Sequence, residues 1–414
     1  MVDSKYMPPA ATDSAGRWIF ILLLIFQVSR TAASAMIAVA VPYLVLQQLR
    51  YGSAVLSYVY MTGLISAAGI GLAVGYMSDR WNRKGTLVLS GVTVPISALM
   101  VYFFPNLPVL LAASLVGGFA ATGSLAGGAI GGAARLVETA IIAEVTSLDR
   151  RTWYFAIRGF IGAVGAAGGA WLVRFFSLNH SFLAAGVISA LGMLALVPLK
   201  LPRRAVRQNH PPEVRKASRK AIGKFTVVGM LNGFSQALIT PFLIPFFFLT
   251  YGIGKSQMAS YTAIATMVGA AAMLTAPIME KHWGFVYTIT FTRAFGTLLL
   301  IVMAVWHNRD LALAIYLLLP ALRIAGRPAQ QSALTQRVHA DSISSALAIN
   351  QAARVGSSSG AVLLTGYLFE SSVIEAPFFL YAVVMGVNIY LYFRFFAGDE
   401  PKTAKKKKIA GTRT

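Results

Sequence analysis

The 414 residues include no cysteine. Disulfides, zinc–thiolate sites, iron–sulfur clusters and thiol catalysis are thereby excluded. Charge is also scarce. Asp, Glu, Lys and Arg make up 12% of the chain, where a soluble domain carries about 25%. Acid is scarcer still, with 14 Asp and Glu against 36 Lys and Arg and a formal net charge of +22. What fills the chain instead is apolar: 57% of residues are hydrophobic, and the mean hydropathy is +0.66. This composition excludes a soluble globular enzyme and a disordered chain. In a soluble protein the basic excess would point to nucleic acid. In an apolar chain it points to membrane topology, and no nucleic-acid partner is expected.

A bilayer core about 30 Å thick takes about 20 helical residues per crossing. Apolar runs of that length occur near 18–48, 53–77, 85–104, 109–146, 153–176, 181–200, 222–249, 256–279, 284–306, 311–335, 343–369 and 375–397. The expectation is an all-α integral membrane protein with twelve transmembrane helices. The polar residues before the first run argue against a cleaved signal peptide. With the N-terminus in the cytoplasm, 25 cations fall on the cytoplasmic side, four outside (Arg50, Arg174, Lys255, Arg309) and seven within spans. That bias obeys the positive-inside rule in each pair of loops. Both termini are expected in the cytoplasm, in a cell (inner) membrane, since short loops fit a prokaryotic inner membrane.

The halves look related. A basic stretch with a Pro-Pro pair, residues 201–220, reads as a cytoplasmic linker between bundles at 1–200 and 221–398. A basic tail, 399–414, follows. Arg135, Glu144 and Asp149 recur 192 residues later as Arg327, Gln336 and Asp341. Gly75, Asp79, Arg80, Arg83 and Lys84 close the second span, and Glu280 with Lys281 close the eighth. The fourth segment is over-long and glycine-rich from 117 to 132, where the first half carries extra residues. No strand precedes those glycines and no Gly-Lys-Ser/Thr ends them, so they form no phosphate loop.

Six plus six spans, a basic central loop and Gly75-x-x-x-Asp79-Arg80-x-x-Arg83-Lys84 together resemble the major facilitator superfamily, over nearly the whole chain. Asn82 stands where the family has a glycine. The glycine-rich stretch from Gly159 to Gly169, and Arg323, Pro328 and Gln331, are similar to the drug–proton antiporter branch. Ala167 stands near the place of that branch's proline. The resemblance implies two pseudo-symmetric six-helix bundles that rock around a central site. It also implies that spans one, four, seven and ten line the cavity. The acid–base motif at Gly75–Lys84, with Glu280 and Lys281 in the second half, would latch the cytoplasmic side. A purely topogenic role is the plainer alternative.

Seven arginines lie inside apolar spans: Arg30, Arg135, Arg158, Arg293, Arg323, Arg327 and Arg354. Each costs about 2.5–3.5 kcal/mol at the bilayer centre, so most must face a cavity, a partner or a helix end. Acids within the spans are only Glu138 and Glu144. Arg30 and Arg323 fall near mid-membrane by depth. Gln27, Asn232 and Gln236 lie near the same level. With Arg135 and Arg327 they make a candidate cavity that prefers anions, because the guanidinium fork matches carboxylate and phosphate. The alternative is that these arginines bond backbone carbonyls or fix helix packing. Structural roles are expected for Arg158 and Arg293, and Arg354 is left open. Glu138 is the candidate proton carrier, because intramembrane acids in pumps often titrate. Its alternative is a permanent ion pair with Arg135, three residues away on one helix face.

The expected function is secondary transport of a small organic solute, proton-coupled and outward, with an anionic or acceptor-rich substrate. The scarcity of acids keeps a uniporter or symporter for organic anions open, and a non-transporting membrane sensor is a third class. Nothing calls for a catalytic residue, cofactor or metal. The expected partners are the substrate, protons and membrane lipid, with the chain a monomer.

Overall fold

The computed structural model describes residues 13–80, 83–119, 132–145, 148–201, 212–283, 285–325 and 343–396. Among these residues the regular structure is helical, with no strand. In hydrocarbon each backbone N–H and C=O needs a partner within the segment, and an apolar helix supplies one. The helices are α1 (Asp13–Tyr43), α2 (Ser53–Arg80), α3 (Arg83–Phe103), α4 (Leu107–Gly117), α5 (Gly132–Val145), α6 (Leu148–Leu172) and α7 (Leu178–Met193). In the second half they are α8 (Pro212–Ile239), α9 (Leu243–Tyr251), α10 (Lys255–Trp283), α11 (Phe285–Val305), α12 (Arg309–Ala325), α13 (Ile343–Glu370) and α14 (Ala376–Phe396).

These fourteen helices correspond to the twelve expected spans. The over-long fourth segment is a pair, α4 and α5, and residues 120–131 between them lie outside the described residues. α4 starts on Asn106, whose side chain accepts from Val109 N at 3.0 Å, and stops at Gly118 with φ +65°. Glycine takes that left-handed conformation without the clash a Cβ would bring. The seventh span is also a pair. α8 ends in a 3₁₀ turn at Thr240–Phe242 before α9 begins, and Pro241 lacks the N–H that would continue the ladder. α8 begins at Pro212, so the latter part of the expected linker is helical.

By length and hydropathy alone, seven helices among the described residues suffice to cross a bilayer. They belong to spans 1, 2, 3, 6, 7, 9 and 12. The other spans are helical too. Within the first half α1 lies on α6 and α7, α3 on α7, and α2 on α4. Within the second half α8 lies on α13 and α14, α11 on α14, and α10 on α12. Each pair in one half has its counterpart in the other, which is the pseudo-symmetry expected of the repeat. The halves meet through α2 on α13 and α6 on α10, again symmetric counterparts.

The core is lopsided. Toward the end of the bundle far from the termini, one apolar cluster runs through both halves and includes Tyr43, Tyr60, Phe242, Phe247 and Phe369. Toward the end that carries the termini, the described apolar residues split into two clusters. One holds Leu23, Leu87 and Ile141, and the other Phe225, Ile289 and Phe396. The halves are thus joined by hydrophobic contact at the far end. Polar contacts reinforce that seal: Tyr43 donates to the Ile253 carbonyl at 2.9 Å, and Lys255 donates to the Phe176 carbonyl. The Glu370 carboxylate at the end of α13 accepts from Ala54 N at the start of α2, at 3.2 Å. An anion at a helix N-terminus meets unpaired N–H groups and the positive end of the dipole.

Candidate functional site

Two groups of interior polar residues emerge, one in each half. The first is built on α1, α5 and α6. Gly165 and Gly169 let α6 approach α1 closely, because a side chain at Gly169 would overlap the Ala32 backbone. This is the local use of the glycine-rich stretch singled out in the sequence. The close approach sets Gln27 and Arg30 of α1 beside Arg158 of α6. Glu138 of α5 completes the group and has no solvent exposure.

The Glu138 carboxylate accepts from Arg158 Nη2, and Arg30 Nη2 lies 3.4 Å from each of its oxygens. Arg158 is held on its other edges as well. Its Nε donates to Gln27 Oε1 at 2.6 Å and its Nη1 to Thr139 Oγ1 at 2.9 Å. Gln27 Nε2 donates back to the Arg158 carbonyl at 2.9 Å. A buried ion pair is costly unless its remaining donors find acceptors, and these bonds engage all three nitrogens of the Arg158 guanidinium. Glu138 is thus engaged by Arg30 and Arg158. Arg158, expected to play a structural part near a helix end, sits at the centre of the only interior acid's environment among the described residues. The sequence hid this because Arg30, Glu138 and Arg158 are separated by 108 and 20 residues, so only tertiary packing joins them. Arg135 lies on the same helix, with its carbonyl accepting from Thr139 Oγ1 at 2.7 Å.

The second group surrounds a cavity of about 40 Å³ inside the second half. Asn232 and Gln236 of α8, Thr292 and Arg293 of α11, Arg323 of α12 and Arg354 of α13 border it. The 3₁₀ break in the seventh span places Thr240 where Arg323 Nη1 can donate to it, at 2.7 Å. Thr240 in turn donates to Gln236 Oε1 at 3.3 Å. The Arg323 guanidinium also lies over the Tyr381 ring, 5.8 Å from its centroid. Arg293 donates to Asn388 Oδ1 at 2.6 Å and lies 5.0 Å from the Tyr392 ring centroid. Its expected packing role and a place on the cavity wall therefore coincide.

Asn232, Gln236 and Arg323 border the second-half cavity, whereas Gln27 and Arg30 belong to the first-half ion-pair group. Arg327 lies outside the described residues. Of the acid–base motif, Gly75, Asp79 and Arg80 occupy the last turns of α2, and Arg83 and Lys84 open α3. Lys84 Nζ donates to the Val197 carbonyl at 2.6 Å, tying that loop to the end of the sixth span. Glu280 and Lys281 fall near the end of α10. The surroundings of Gly75 and the side chains of Asp79, Arg80, Glu280, Lys281 and Glu144 are outside what the structure describes. The aromatic run of the seventh span is packing: Phe242 lies against Phe369, and Phe247 against Tyr316.

Residues 23–362 match the family model of the Major Facilitator Superfamily. The class C tetracycline resistance protein of Escherichia coli is 26% identical over 292 residues, covering 65% of this chain and 68% of that protein. The cyanate transport protein CynX of Escherichia coli K12 is 25% identical over 225 residues, covering 53% of this chain and 56% of that protein. Among solved structures, the human organic anion transporter MFSD10 (TETRAN) superposes with a TM-score of 0.70 at 13% identity, over 93% of this chain and 100% of that one. A partially occluded, inward-open form of the Escherichia coli xylose transporter XylE gives 0.71 at 14% identity, over 93% and 98%. These structural likenesses establish the two-bundle fold. With a family model spanning most of its length, the chain belongs to the Major Facilitator Superfamily and is a multi-pass membrane transporter of that fold.

Proposed function

We propose that the protein exports a small organic solute across the cell (inner) membrane in exchange for protons, acting as a monomer with both termini cytoplasmic. The substrate is anionic or rich in hydrogen-bond acceptors. The observation that carries the reading is the burial of Glu138 between two guanidiniums from different helices. Protonating that carboxylate removes the charge that holds Arg30 and Arg158 together. The first and fifth spans can then shift relative to the fourth. Deprotonation draws them back. A carboxylate at a three-helix junction can thus convert proton binding into a change of packing, which alternating access requires.

The direction rests on the tetracycline resistance relative and the glycine-rich fifth span. The charge preference rests on the interior arginines and is in keeping with the cyanate of the second relative, a compact monoanion. Lipid contact follows from the apolar outer surface, where Trp18, Ile65, Phe175 and Leu298 are among the exposed large side chains. Asp79 and the cations after it serve as the cytoplasmic latch in this reading. Proton-independent uptake of an organic anion is the second reading, favoured by the absence of acid from the second-half cavity wall.

Uptake and counterflow in proteoliposomes test both, with a panel of organic anions and cationic dyes, with and without an imposed pH gradient. Proton-coupled transport requires flux that depends on the gradient and that Glu138→Gln uncouples. Anion flux that ignores the gradient and survives Glu138→Gln replaces it with the uptake reading. Dye export indifferent to Arg323→Gln removes the anionic substrate.

A further inference from the structure

The cation balance of the two interior groups differs in kind. In the first half Glu138 answers Arg30 and Arg158. In the second half Arg293, Arg323 and Arg354 border one cavity, and no acid is among the described residues that line it. Arg293 is satisfied in part by Asn388. Arg323 is also satisfied only in part: Nη1 donates to Thr240 and the guanidinium lies over Tyr381, while Nε and Nη2 are buried with no hydrogen-bond acceptor of ordinary geometry. A buried charged donor left unmatched costs more than a neutral one, so such a pair of N–H groups signals a missing acceptor.

We propose that this cavity is a binding site for a compact monoanion, a carboxylate group or an inorganic anion of similar size. Arg323 and Arg354 supply the charge, Arg293 reinforces it, and Asn232, Gln236 and Tyr381 bound the rest of the wall. The volume selects the size. A water needs about 10–15 Å³ on this kind of measure, so about 40 Å³ admits about three water-sized groups, which matches the three heavy atoms of a carboxylate. A ring-bearing solute does not enter whole; only its charged end does. The site rests on the transport reading only in lying along the substrate path. It depends on neither the proton nor the direction of flux, so either can fail alone.

The test is equilibrium binding to the purified full-length protein. Its thermal unfolding is followed while sodium acetate, and separately sodium nitrate, replaces sodium isethionate, whose charged end is a bulkier sulfonate, at constant ionic strength and neutral pH. The expected result is a saturable rise in Tm for acetate and nitrate. Arg323→Gln and Arg354→Gln should each weaken the apparent affinity by about tenfold or more, the weight of one charge-assisted hydrogen bond. The absence of a saturable rise in the wild type overturns the site, whatever the variants do. An equal rise in wild type and both variants overturns it as well, since the anion then acts elsewhere. Should the glutamine variants misfold, Arg323→Lys, which keeps the charge but loses the fork, must weaken carboxylate binding by a smaller factor. Flux separates the sources. Acetate that competes with a transported organic anion marks the site as the seat of the solute's own carboxylate. Acetate that binds without competing marks a site for a free anion.

Discussion

At the scale of single residues, the Glu138 group concentrates most of the risk and most of the function. A lone charge left behind in a dry interior is far costlier than the pair that preceded it. Removing one partner of such a pair typically destabilises by about 3–5 kcal/mol, whereas replacing the whole set with apolar groups is often neutral. Arg158→Met should therefore lower Tm sharply. The triple variant Arg30→Met/Arg158→Met/Glu138→Leu should recover part of the loss, because the whole charged set is then replaced by apolar groups. Differential scanning fluorimetry on both proteins checks this, and a triple variant no better than the single one refutes the dominance of the ion pairs. Gln27 belongs to the same unit, since it both donates to the Arg158 backbone and accepts from its side chain. Gln27→Leu should be the milder change, because Arg158 keeps Glu138 and Thr139.

Elements decide where these side chains point. The first-half group exists because α6 can touch α1, and that contact needs glycine. Gly169→Val forces a branched side chain into the Ala32 backbone. Overpacking of this kind costs about 1–3 kcal/mol. Here it should also part Arg158 from Gln27, so flux should fall together with Tm. The second-half cavity depends on a broken helix. Pro241 ends α8 early, and the turn presents Thr240 to Arg323. Pro241→Ala restores the missing donor and allows the ladder to close. Stability should hold or rise while transport activity drops. Lost Tm with unchanged specific activity would show that the break serves packing only.

At the scale of the whole molecule, the two halves are joined at the far end and carry separate apolar clusters toward the terminal end. Glu370 ties the end of α13 to the start of α2 across that seam. The contact is close enough that a side chain at Gly52 would collide with the carboxylate. Breaking it should favour the state open at the far end. Because the chain has no cysteine, one introduced thiol is an unambiguous reporter. In a Gln236→Cys background, Glu370→Gln should raise labelling by an impermeant maleimide from the far face by about threefold, the scale of one lost helix cap. Unchanged labelling would show that the apolar seal holds that end closed by itself. The Asp79 motif and the Glu370 contact occupy opposite ends of α2, the helix that faces α13, so closing one end and releasing the other can be a single movement.

Composition and periodicity alone determined that this chain crosses a membrane many times, because hydrocarbon admits few alternatives to long apolar helices. The bias of cations among the loops and the offset of 192 residues between Arg135 and Arg327 carried the twofold organisation, and the Gly75–Lys84 motif carried the family. The sequence also named Glu138, Arg30 and Arg323 as the costly residues, since burial of charge in lipid is a local penalty that needs no fold to evaluate. Only the tertiary structure decided their partners. Arg158 reaches Glu138 across helices, and neither helical periodicity nor sequence spacing encodes which face of α6 meets α1. That choice follows from where glycine lets two backbones approach. The partner of a buried charge is set by packing over tens to hundreds of residues, while its cost is set by the side chain alone.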